Sequence, residues 1–134
     1  MSAEAMYAEM ILDYYRHPRN FGTLVCPDAC AKDVNISCGD EVEIQIKVED
    51  GKVSDIKFCG KGCAISQAAT SMLTEFVQGK PVKEAALVKK EEVLDMLQIP
   101  ISPMRLKCAL LGLKVFKVCS YGYLGQQLEE EQYG

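Results

Sequence analysis

Apolar residues recur first at helical spacing, then at strand spacing, and then at helical spacing again. From Ala3 to Tyr15 the spacing is that of one amphipathic helix, and it ends at His17-Pro18 because the residue before a proline disfavours the helical region. The apolar stripe of this helix consists of Met6, Met10, Ile11 and Tyr14. Core packing is the simplest interpretation of the stripe, although such a helix can also serve as a docking surface. Asn20–Gly22 is predicted to form a turn.

The middle of the chain predicts three strands. Between Glu41 and Glu49 apolar and polar residues alternate strictly, which is the two-residue period of a sheet with one solvent-exposed face. Asp50-Gly51 predicts a hairpin turn. The partner strand, about Lys52 to Cys59, has an apolar pattern that changes face, which predicts a β-bulge or a register irregularity near Ser54. An earlier strand is expected from Cys30 to Ile36.

The remaining sequence predicts helices. After Gly60-Lys61-Gly62 the spacing becomes helical, and Gly79 with Pro81 ends this second helix. The segment from Lys83 to Leu97 predicts one or two shorter helices. A last helix, from about Met104 to Val118, is apolar nearly all round and should be largely buried. The acidic tail from Gln126 to Gln132 is predicted to be a solvated helix end or a frayed segment.

This order of elements favours a single α+β domain over residues 1–134, with a small three-stranded antiparallel sheet and helices packed on one face. The formal net charge is −4 and no block of Lys or Arg occurs, which argues against a nucleic-acid surface or a polybasic membrane contact. No apolar run approaches the ~18 residues of a membrane span, and no basic leader opens the chain. We therefore expect a cytoplasmic protein.

The chain has seven cysteines and one histidine. Thiols stay reduced in the cytoplasm, so this odd number points to metal or sulfur chemistry more than to disulfides. Cys38-Gly39-Asp40 precedes the clearest strand and places a thiol and a carboxylate on one loop. Such a loop suits a pair of metal ligands, and a small buried thiol beside a turn aspartate is the alternative. The histidine, His17, precedes a proline and is interpreted as a surface residue.

Two further cysteines lie near predicted helix starts. Cys63 follows two glycines at a strand end, where a helix N-terminus favours the thiolate; the alternative is a packing residue. Cys108 follows Pro103 and is flanked by Arg105 and Lys107, whose positive charge should favour its thiolate; the alternative is a core cysteine. Three thiols and one carboxylate would complete a four-ligand set, and soft sulfur ligands select zinc or iron-sulfur clusters.

With these motifs in place, the sequence resembles the IscU/SufU/NifU-N-terminal family of iron-sulfur cluster assembly scaffolds. The residues that carry the resemblance are Tyr7, the segment Asp13-Tyr14-Tyr15-Arg16-His17-Pro18-Arg19-Asn20-Phe21-Gly22, Cys38-Gly39-Asp40, the segment from Gly60 to Ser71, and Arg105-Leu106-Lys107-Cys108. Three ordered cysteine motifs and the opening signature run through nearly the whole chain.

The resemblance implies an IscU-like fold and a protein that is a scaffold and carrier more than an enzyme. Such a protein takes persulfide sulfur from a PLP-dependent cysteine desulfurase, combines it with iron, holds a labile 2Fe-2S cluster and passes it to apo-proteins. Carried over by position, Cys38, Asp40, Cys63 and Cys108 become ligands of the cluster or of zinc. Cys108 is the expected persulfide acceptor, with Cys38 as the second choice. Lys107 would stabilise the thiolate or persulfide of Cys108.

The sequence departs from the family pattern at two places. Lys107 stands where many IscU-type members have histidine; the SufU branch also has lysine here, but it carries a long insertion between the second and third cysteines that this chain lacks. Residues 101–105, Ile-Ser-Pro-Met-Arg, replace a Leu-Pro-Pro-Val-Lys-like motif, so delivery by an Hsp70-type chaperone is not expected. The cysteines outside the motifs are interpreted as structural or incidental, and Cys59 is expected nearest the site; they are Cys26, Cys30, Cys59 and Cys119.

Two other functions compete with the scaffold. A zinc-bound sulfur acceptor of the SufU type would relay persulfide without building a cluster, and Lys107 favours it. A purely structural zinc protein would need the metal to fold. The regular apolar pattern argues against that second alternative. Self-association into a homo-oligomer is compatible with each of these functions.

Overall fold

The computed structural model describes the backbone of residues 2–133 and the side chains of residues 2–127. Helices and strands follow one another in the predicted order. They are α1 (Ala3–Arg16), β1 (Ala29–Asn35), β2 (Asp40–Glu49), β3 (Lys52–Lys61), α2 (Ala64–Val77), α3 (Val82–Ala85), α4 (Lys90–Leu97) and α5 (Pro103–Tyr133). Among the described residues, no helix combines the length and the apolar character needed to span a membrane.

The three strands form one antiparallel sheet in the order β1-β2-β3. Asp50 and Gly51 turn the β2–β3 hairpin with φ angles of 54° and 74°, the positive values that a tight hairpin turn requires. The predicted bulge is confirmed, because Lys47 pairs with Asp55 while Val48 pairs with Val53, which leaves Ser54 as the extra residue. The bulge turns Val53 towards the buried face, where it is fully buried.

The core lies between the inner face of the sheet and helices α2 and α5. Alternate residues of β2 and β3 are completely buried there: Val42, Ile44, Ile46, Val53, Ile56 and Phe58. Helices α2 and α5 approach each other closely at Gly112, where a Cβ atom would collide with the Thr70 hydroxyl. The prediction of an α+β domain with helices on one face of a three-stranded sheet is confirmed.

The outer face of the sheet is crossed by the segment between α1 and β1. The Asn20 carbonyl accepts a hydrogen bond from the Phe58 N–H at 2.9 Å, so the segment starts at the β3 edge. The Leu24 N–H then donates to the Gln45 side chain of the central strand at 2.7 Å. The Asp28 N–H donates to the Ile46 carbonyl at 2.8 Å, where the chain enters β1.

The helices differ from their predicted bounds mainly at the C-terminus. Helix α5 continues to Tyr133, so the predicted end near Val118 is wrong. The acidic tail lies within this helix, and its side chains beyond residue 127 are outside the described ones. In α1 the apolar stripe is buried at Ile11 and partly buried at Met10 and Tyr14, but Met6 is exposed.

Candidate metal and sulfur site

Cys38 and Asp40 are positioned by the tight turn between β1 and β2. The Asn35 carbonyl accepts hydrogen bonds from the Cys38 N–H at 3.3 Å and from the Gly39 N–H at 2.8 Å. Gly39 has a φ of 75°, which glycine adopts without steric cost. The turn leaves the Cys38 residue exposed, whereas Asp40, the first residue of β2, points inward and is fully buried.

Cys63 is the N-cap residue of α2, and its sulfur accepts a hydrogen bond from the Ser66 N–H at 3.5 Å. The preceding glycines permit the close approach that the sequence predicted. A Cβ atom at Gly60 would collide with the Glu41 carbonyl, and one at Gly62 would collide with the Asp40 carboxylate. Gly62 therefore brings the Cys63 segment directly against Asp40.

Cys108 completes the site from the side of α5. Because α5 begins at Pro103, Cys108 lies in the second turn of the helix, near its start as predicted. Its sulfur lies 3.3 Å from the sulfur of Cys38, and the Cys108 residue is only 1% exposed. One exposed and one buried thiol are thus in direct contact.

The Asp40 carboxylate lies at the centre of these groups. Its Oδ2 atom accepts a hydrogen bond from the Cys38 thiol at 2.9 Å and contacts the Cys63 sulfur at 3.7 Å, while Oδ1 accepts from the Cys63 N–H at 2.8 Å. Burial raises the pKa of the carboxyl. Hydrogen bonds from Cys38, Cys63 and Cys108 lower this pKa and together outweigh burial, so the net pKa lies below its ordinary value. The site therefore holds a carboxylate anion in contact with thiol groups.

The net pKa shift of Cys108 has the opposite direction. Its pKa is strongly raised, first by burial and then by hydrogen bonds to Asp40 and Cys38 and by the charges of Cys63 and Asp40. The prediction that neighbouring positive charge makes Cys108 a thiolate is therefore wrong for the metal-free site. Arg105 does interact with the thiols, because a hydrogen bond with Cys108 and the nearby Cys63 and Cys108 raise the pKa of its guanidinium.

Three of the predicted ligands are close enough together to hold one ion. Potential ligand atoms of Cys38, Asp40 and Cys108 all lie within 4.8 Å of one another. A tetrahedral ion with metal–sulfur bonds of about 2.3 Å separates its ligand atoms by roughly 3.8 Å, so only small shifts are needed. Cys63 lies beside this group, on the Asp40 side. The donor set of thiols and one carboxylate fits a thiophilic metal.

Two other candidate residues are exposed and are not part of this donor group. Lys107 is exposed and lines a groove with Ile36 and Lys114. His17 is exposed, as predicted. Cys59, the extra cysteine expected nearest the site, pairs with Glu43 on the outer face of the sheet, whereas Asp40 belongs to the inner face.

The remaining extra cysteines are separated from the site as well. Cys26 and Cys30 are exposed, on the crossing segment and on β1. Cys119 is buried in α5, and its thiol contacts the Ile44 carbonyl at 3.8 Å. Burial raises the pKa of Cys119 to about 12, with a smaller effect from Cys30. Among the described residues, none of these three thiols belongs to the donor group around Asp40.

The sequence analysis missed two polar side chains in the first turn of α2. Ser66 is completely buried and Gln67 is 5% exposed, and neither the Ser66 hydroxyl nor the Gln67 amide nitrogen has a hydrogen-bond partner among the described residues. The sequence signal was present, since two polar residues stand inside the apolar face directly after Cys63. Unpaired buried polar groups beside a candidate site are available to a bound group.

The sequence of this chain also matches a known protein family. Residues 6–130 match the model of the NifU-like N-terminal domain. The chain belongs to the NifU-like N-terminal domain family. The match includes every cysteine motif described above.

Curated relatives and solved structures agree with the family. The chain is 34% identical to the iron-sulfur cluster assembly scaffold protein IscU of Haemophilus influenzae, covering 90% of this chain and 98% of the relative. Its identity to the IscU scaffold protein of Thermotoga maritima is 37%, covering 87% and 94%. A crystal structure from Fervidobacterium islandicum, described as a scaffold of the SUF system, superposes with a TM-score of 0.74 at 30% identity, covering 89% and 99%. A NifU-like N-terminal domain from Brucella abortus superposes with a TM-score of 0.71 at 25% identity, covering 95% and 96%.

Proposed function

We propose that this protein is a scaffold on which a labile 2Fe-2S cluster is assembled and from which it passes to apo-proteins. Iron and sulfur are substrates in this reaction, and the sulfur comes as persulfide from a PLP-dependent cysteine desulfurase. The observation that carries the proposal is the contact of Cys38, Cys63 and Cys108 with one buried carboxylate, Asp40. Relatives named as IscU scaffold proteins support the same role.

The placement of the donors suits a cluster that is bound temporarily and then released. The donors come from three separate segments, a turn, a helix start and the interior of a second helix, so no single rigid motif encloses the cluster. Cys38 is exposed while Cys108 is buried, which gives the site one open side. A carboxylate is also a harder and more replaceable ligand for iron than a thiolate. We infer that release begins at the Cys38–Asp40 side.

Loading of the site requires the release of protons. The buried Cys108 is a thiol in the metal-free protein, and metal binding needs its thiolate. The apparent affinity for Fe²⁺ or Zn²⁺ should therefore increase with pH. Arg105, which interacts with Cys63 and Cys108, supplies positive charge beside the sulfur atoms once they are deprotonated.

Sulfur enters by thiol exchange with the desulfurase. A cysteine thiolate of the scaffold attacks the outer sulfur of the enzyme persulfide, a new S–S bond forms, and the enzyme cysteine leaves as a thiolate. Reduction of that sulfur to sulfide needs two electrons, which an external dithiol supplies in the experiment below. Cys108 is the acceptor we predicted, and because it is a buried thiol in the metal-free site it must be uncovered and deprotonated before it attacks, whereas the alternative, Cys38, is already exposed. Their sulfur atoms are 3.3 Å apart, so transfer between them needs little movement.

The scaffold is tested by anaerobic reconstitution with Fe²⁺, L-cysteine, a cysteine desulfurase and a dithiol. Iron and sulfide analysis should give equal amounts of both, visible absorption should show the cluster, and an apo-ferredoxin should acquire it on mixing. Cys63→Ser should lose the cluster, whereas Cys30→Ser, a thiol on the outer sheet face, should retain it. Tightly held zinc, faster desulfurase turnover and no cluster would instead establish the zinc-dependent sulfur acceptor.

Removal of the central carboxylate should slow the release of the cluster. In Asp40→Ala the replaceable ligand is gone, so transfer to apo-ferredoxin should be at least several-fold slower. Stopped-flow absorption during transfer measures this rate. Glu43→Ala, which removes a carboxylate from the outer face of the sheet, is the matched control. A transfer rate equal to that of the wild type, or faster, would contradict the role of Asp40.

The acceptor is identified by mass spectrometry of single variants after incubation with the desulfurase and cysteine. Loss of the persulfide adduct in Cys108→Ser, with its retention in Cys38→Ser, is the expected result. The reverse pattern would make Cys38 the acceptor. An undiminished adduct in both variants would exclude this pair of thiols.

A further inference from the structure

The first turn of α2 contains a buried amide that the fold leaves without a partner. Gln67 is only 5% exposed, and its amide nitrogen has no hydrogen-bond acceptor among the described residues. An unpaired buried amide costs stability, because it has lost its hydrogen bonds to water. Further along the helix the buried hydroxyls of Thr70 and Thr74 are both paired with helix carbonyls. The packing of α2 therefore gives no reason for an amide at position 67.

The geometry of the helix directs this amide towards Cys63. Gln67 follows Cys63 by four residues, and residues at that spacing lie on the same face of a helix. Helical side chains lean towards the N-terminus of their helix, so Gln67 extends towards the N-cap position, which Cys63 occupies. The Cys63 sulfur already accepts a hydrogen bond from the Ser66 N–H at 3.5 Å, so it lies against this same turn.

The surroundings of the Cys63 sulfur favour a further hydrogen-bond donor. The sulfur lies 3.7 Å from Oδ2 of the Asp40 carboxylate. Metal binding requires a thiolate, which at this position stands beside a second negative charge. The first turn of α2 contains no acidic side chain, so the positive end of the helix dipole can act on the sulfur. An amide N–H from the same turn would offset the negative charge further.

We propose that the Gln67 amide donates an N–H···S hydrogen bond to the Cys63 sulfur when that sulfur is a metal-bound thiolate. An ionised acceptor makes a stronger hydrogen bond than a neutral one, so metal binding supplies the partner that the amide lacks. Formation of the bond requires a side-chain rotation of Gln67 but no movement of α2. Gln67 binds the sulfur ligand rather than the metal, and groups in that position tune metal affinity and cluster potential.

One substitution should have two opposite effects. Gln67→Leu removes an unpaired buried amide from the metal-free protein, so the variant should be more stable than wild type. The same change removes a donor from the metal-bound protein, so Zn²⁺ should bind about tenfold more weakly, as is typical when a group bonded to a metal ligand is lost. A residue that only packs against its neighbours would not stabilise the metal-free protein and weaken metal binding together.

The test compares full-length Gln67→Leu with wild type in three measurements. Urea unfolding of the metal-free protein should shift its midpoint to a higher urea concentration. Competition with a chromophoric chelator should show weaker Zn²⁺ binding. With Co²⁺ bound, the thiolate-to-metal charge-transfer absorption should move to lower energy, because a thiolate that has lost a hydrogen bond gives up electron density more easily.

The matched control is Gln78→Leu, the same replacement at the exposed C-cap of the same helix. This control should bind Zn²⁺ and Co²⁺ like wild type. Unchanged Zn²⁺ affinity and an unchanged Co²⁺ spectrum in Gln67→Leu would overturn the proposal. Loss of metal-free stability in both Gln67→Leu and the unbranched Gln67→Met would also overturn it, because the amide would then be paired without a metal.

For a bound cluster, the role of Gln67 rests on the proposed scaffold function. Gln67→Leu should lower the reduction potential of the reconstituted cluster, since an N–H···S bond stabilises the added negative charge of the reduced form. A wild type that binds Zn²⁺ but assembles no cluster would contradict the scaffold, while the Zn²⁺ and Co²⁺ measurements would still decide the role of Gln67. A normal cluster whose potential, together with the Zn²⁺ affinity, is unchanged in Gln67→Leu would overturn only the inference about Gln67.

Discussion

The core and the donor site share the inner face of the sheet but are built in opposite ways. In the core, Ile44 and Phe58 are fully buried among apolar neighbours. In the site, the equally buried Asp40 is surrounded by thiols and an N–H group. The first arrangement stabilises the fold, while the second holds polar groups ready for a metal. Because the core is apolar and complete without the site, we expect the domain to fold without a metal.

The largest effect on stability should come from the core. Phe58→Ala should lower the free energy of unfolding by roughly 3–5 kcal/mol, because it removes a fully buried ring and leaves a cavity. Phe21→Ala is the matched control, since the Phe21 ring packs edge-on against Phe58 but is 48% exposed. Its cost should be about 1 kcal/mol. Urea unfolding of the metal-free protein measures both, and equal losses would contradict the comparison.

A smaller loss of stability, with a larger loss of metal binding, should follow from Gly62→Ala. The new methyl group would collide with Asp40, and the φ of 152° is unfavourable for alanine, so the cost should be about 2 kcal/mol. Gly51→Ala, in the hairpin turn, also places alanine at a positive φ, but its Cβ atom would meet no other atom within 4 Å. This variant should lower the free energy of unfolding by about 1 kcal/mol.

Titration with Zn²⁺ distinguishes these two variants by their affinity for the ion. Gly62→Ala should bind the ion more weakly because the central carboxylate is displaced, whereas Gly51→Ala should bind it like wild type. Equal affinities would show that the contact between Gly62 and Asp40 does not position the carboxylate.

The smallest effect concerns pH. The pKa of Cys119 is raised to about 12 in the folded protein and lies near 9 when the thiol is exposed. The unfolded chain therefore loses this proton first as the pH rises, and stability that is complete below pH 9 declines towards pH 12. At pH 10 the loss from this thiol should be about 1 kcal/mol. Cys119→Ala should reduce the alkaline slope of unfolding free energy, and an unchanged slope would exclude the thiol.

Local patterns were sufficient to predict the sheet, its hairpin and its bulge. The alternation in β2 identifies the buried face directly, and the change of apolar face around Ser54 in β3 indicates the bulge or register irregularity that the structure shows. The end of α5 was missed because Gly122 and Gly125 weaken the helical pattern. Contacts of Tyr123 and Leu124 with the core stabilise that part of the helix, and such contacts between distant segments are not visible in a local window.

The part of the candidate site that could be predicted from sequence consists of donors in motifs at the ends of strands and helices. Cys38, Asp40 and Cys63 flank strands and a helix, so their convergence follows from the topology. The protonation of Cys108 was misjudged because charge neighbours are visible in sequence, whereas burial is not. The outer-face position of Cys59 was not visible in its spacing from Cys63, because the face of a strand, rather than distance along the chain, decides which side of the sheet a thiol occupies.

The path of the segment that follows α1 has a consequence for aggregation. An unpaired edge strand can pair with another chain, and proteins commonly cover such edges. The β3 edge is covered twice, by the Asn20 carbonyl and the Gly22 N–H at Phe58, and by the Lys80 carbonyl and the Gly79 N–H at Val53. Strand addition at β3 is thus blocked near both ends. The exposed Cys38 thiol thus lies on a sheet whose β3 backbone is protected from pairing with other chains.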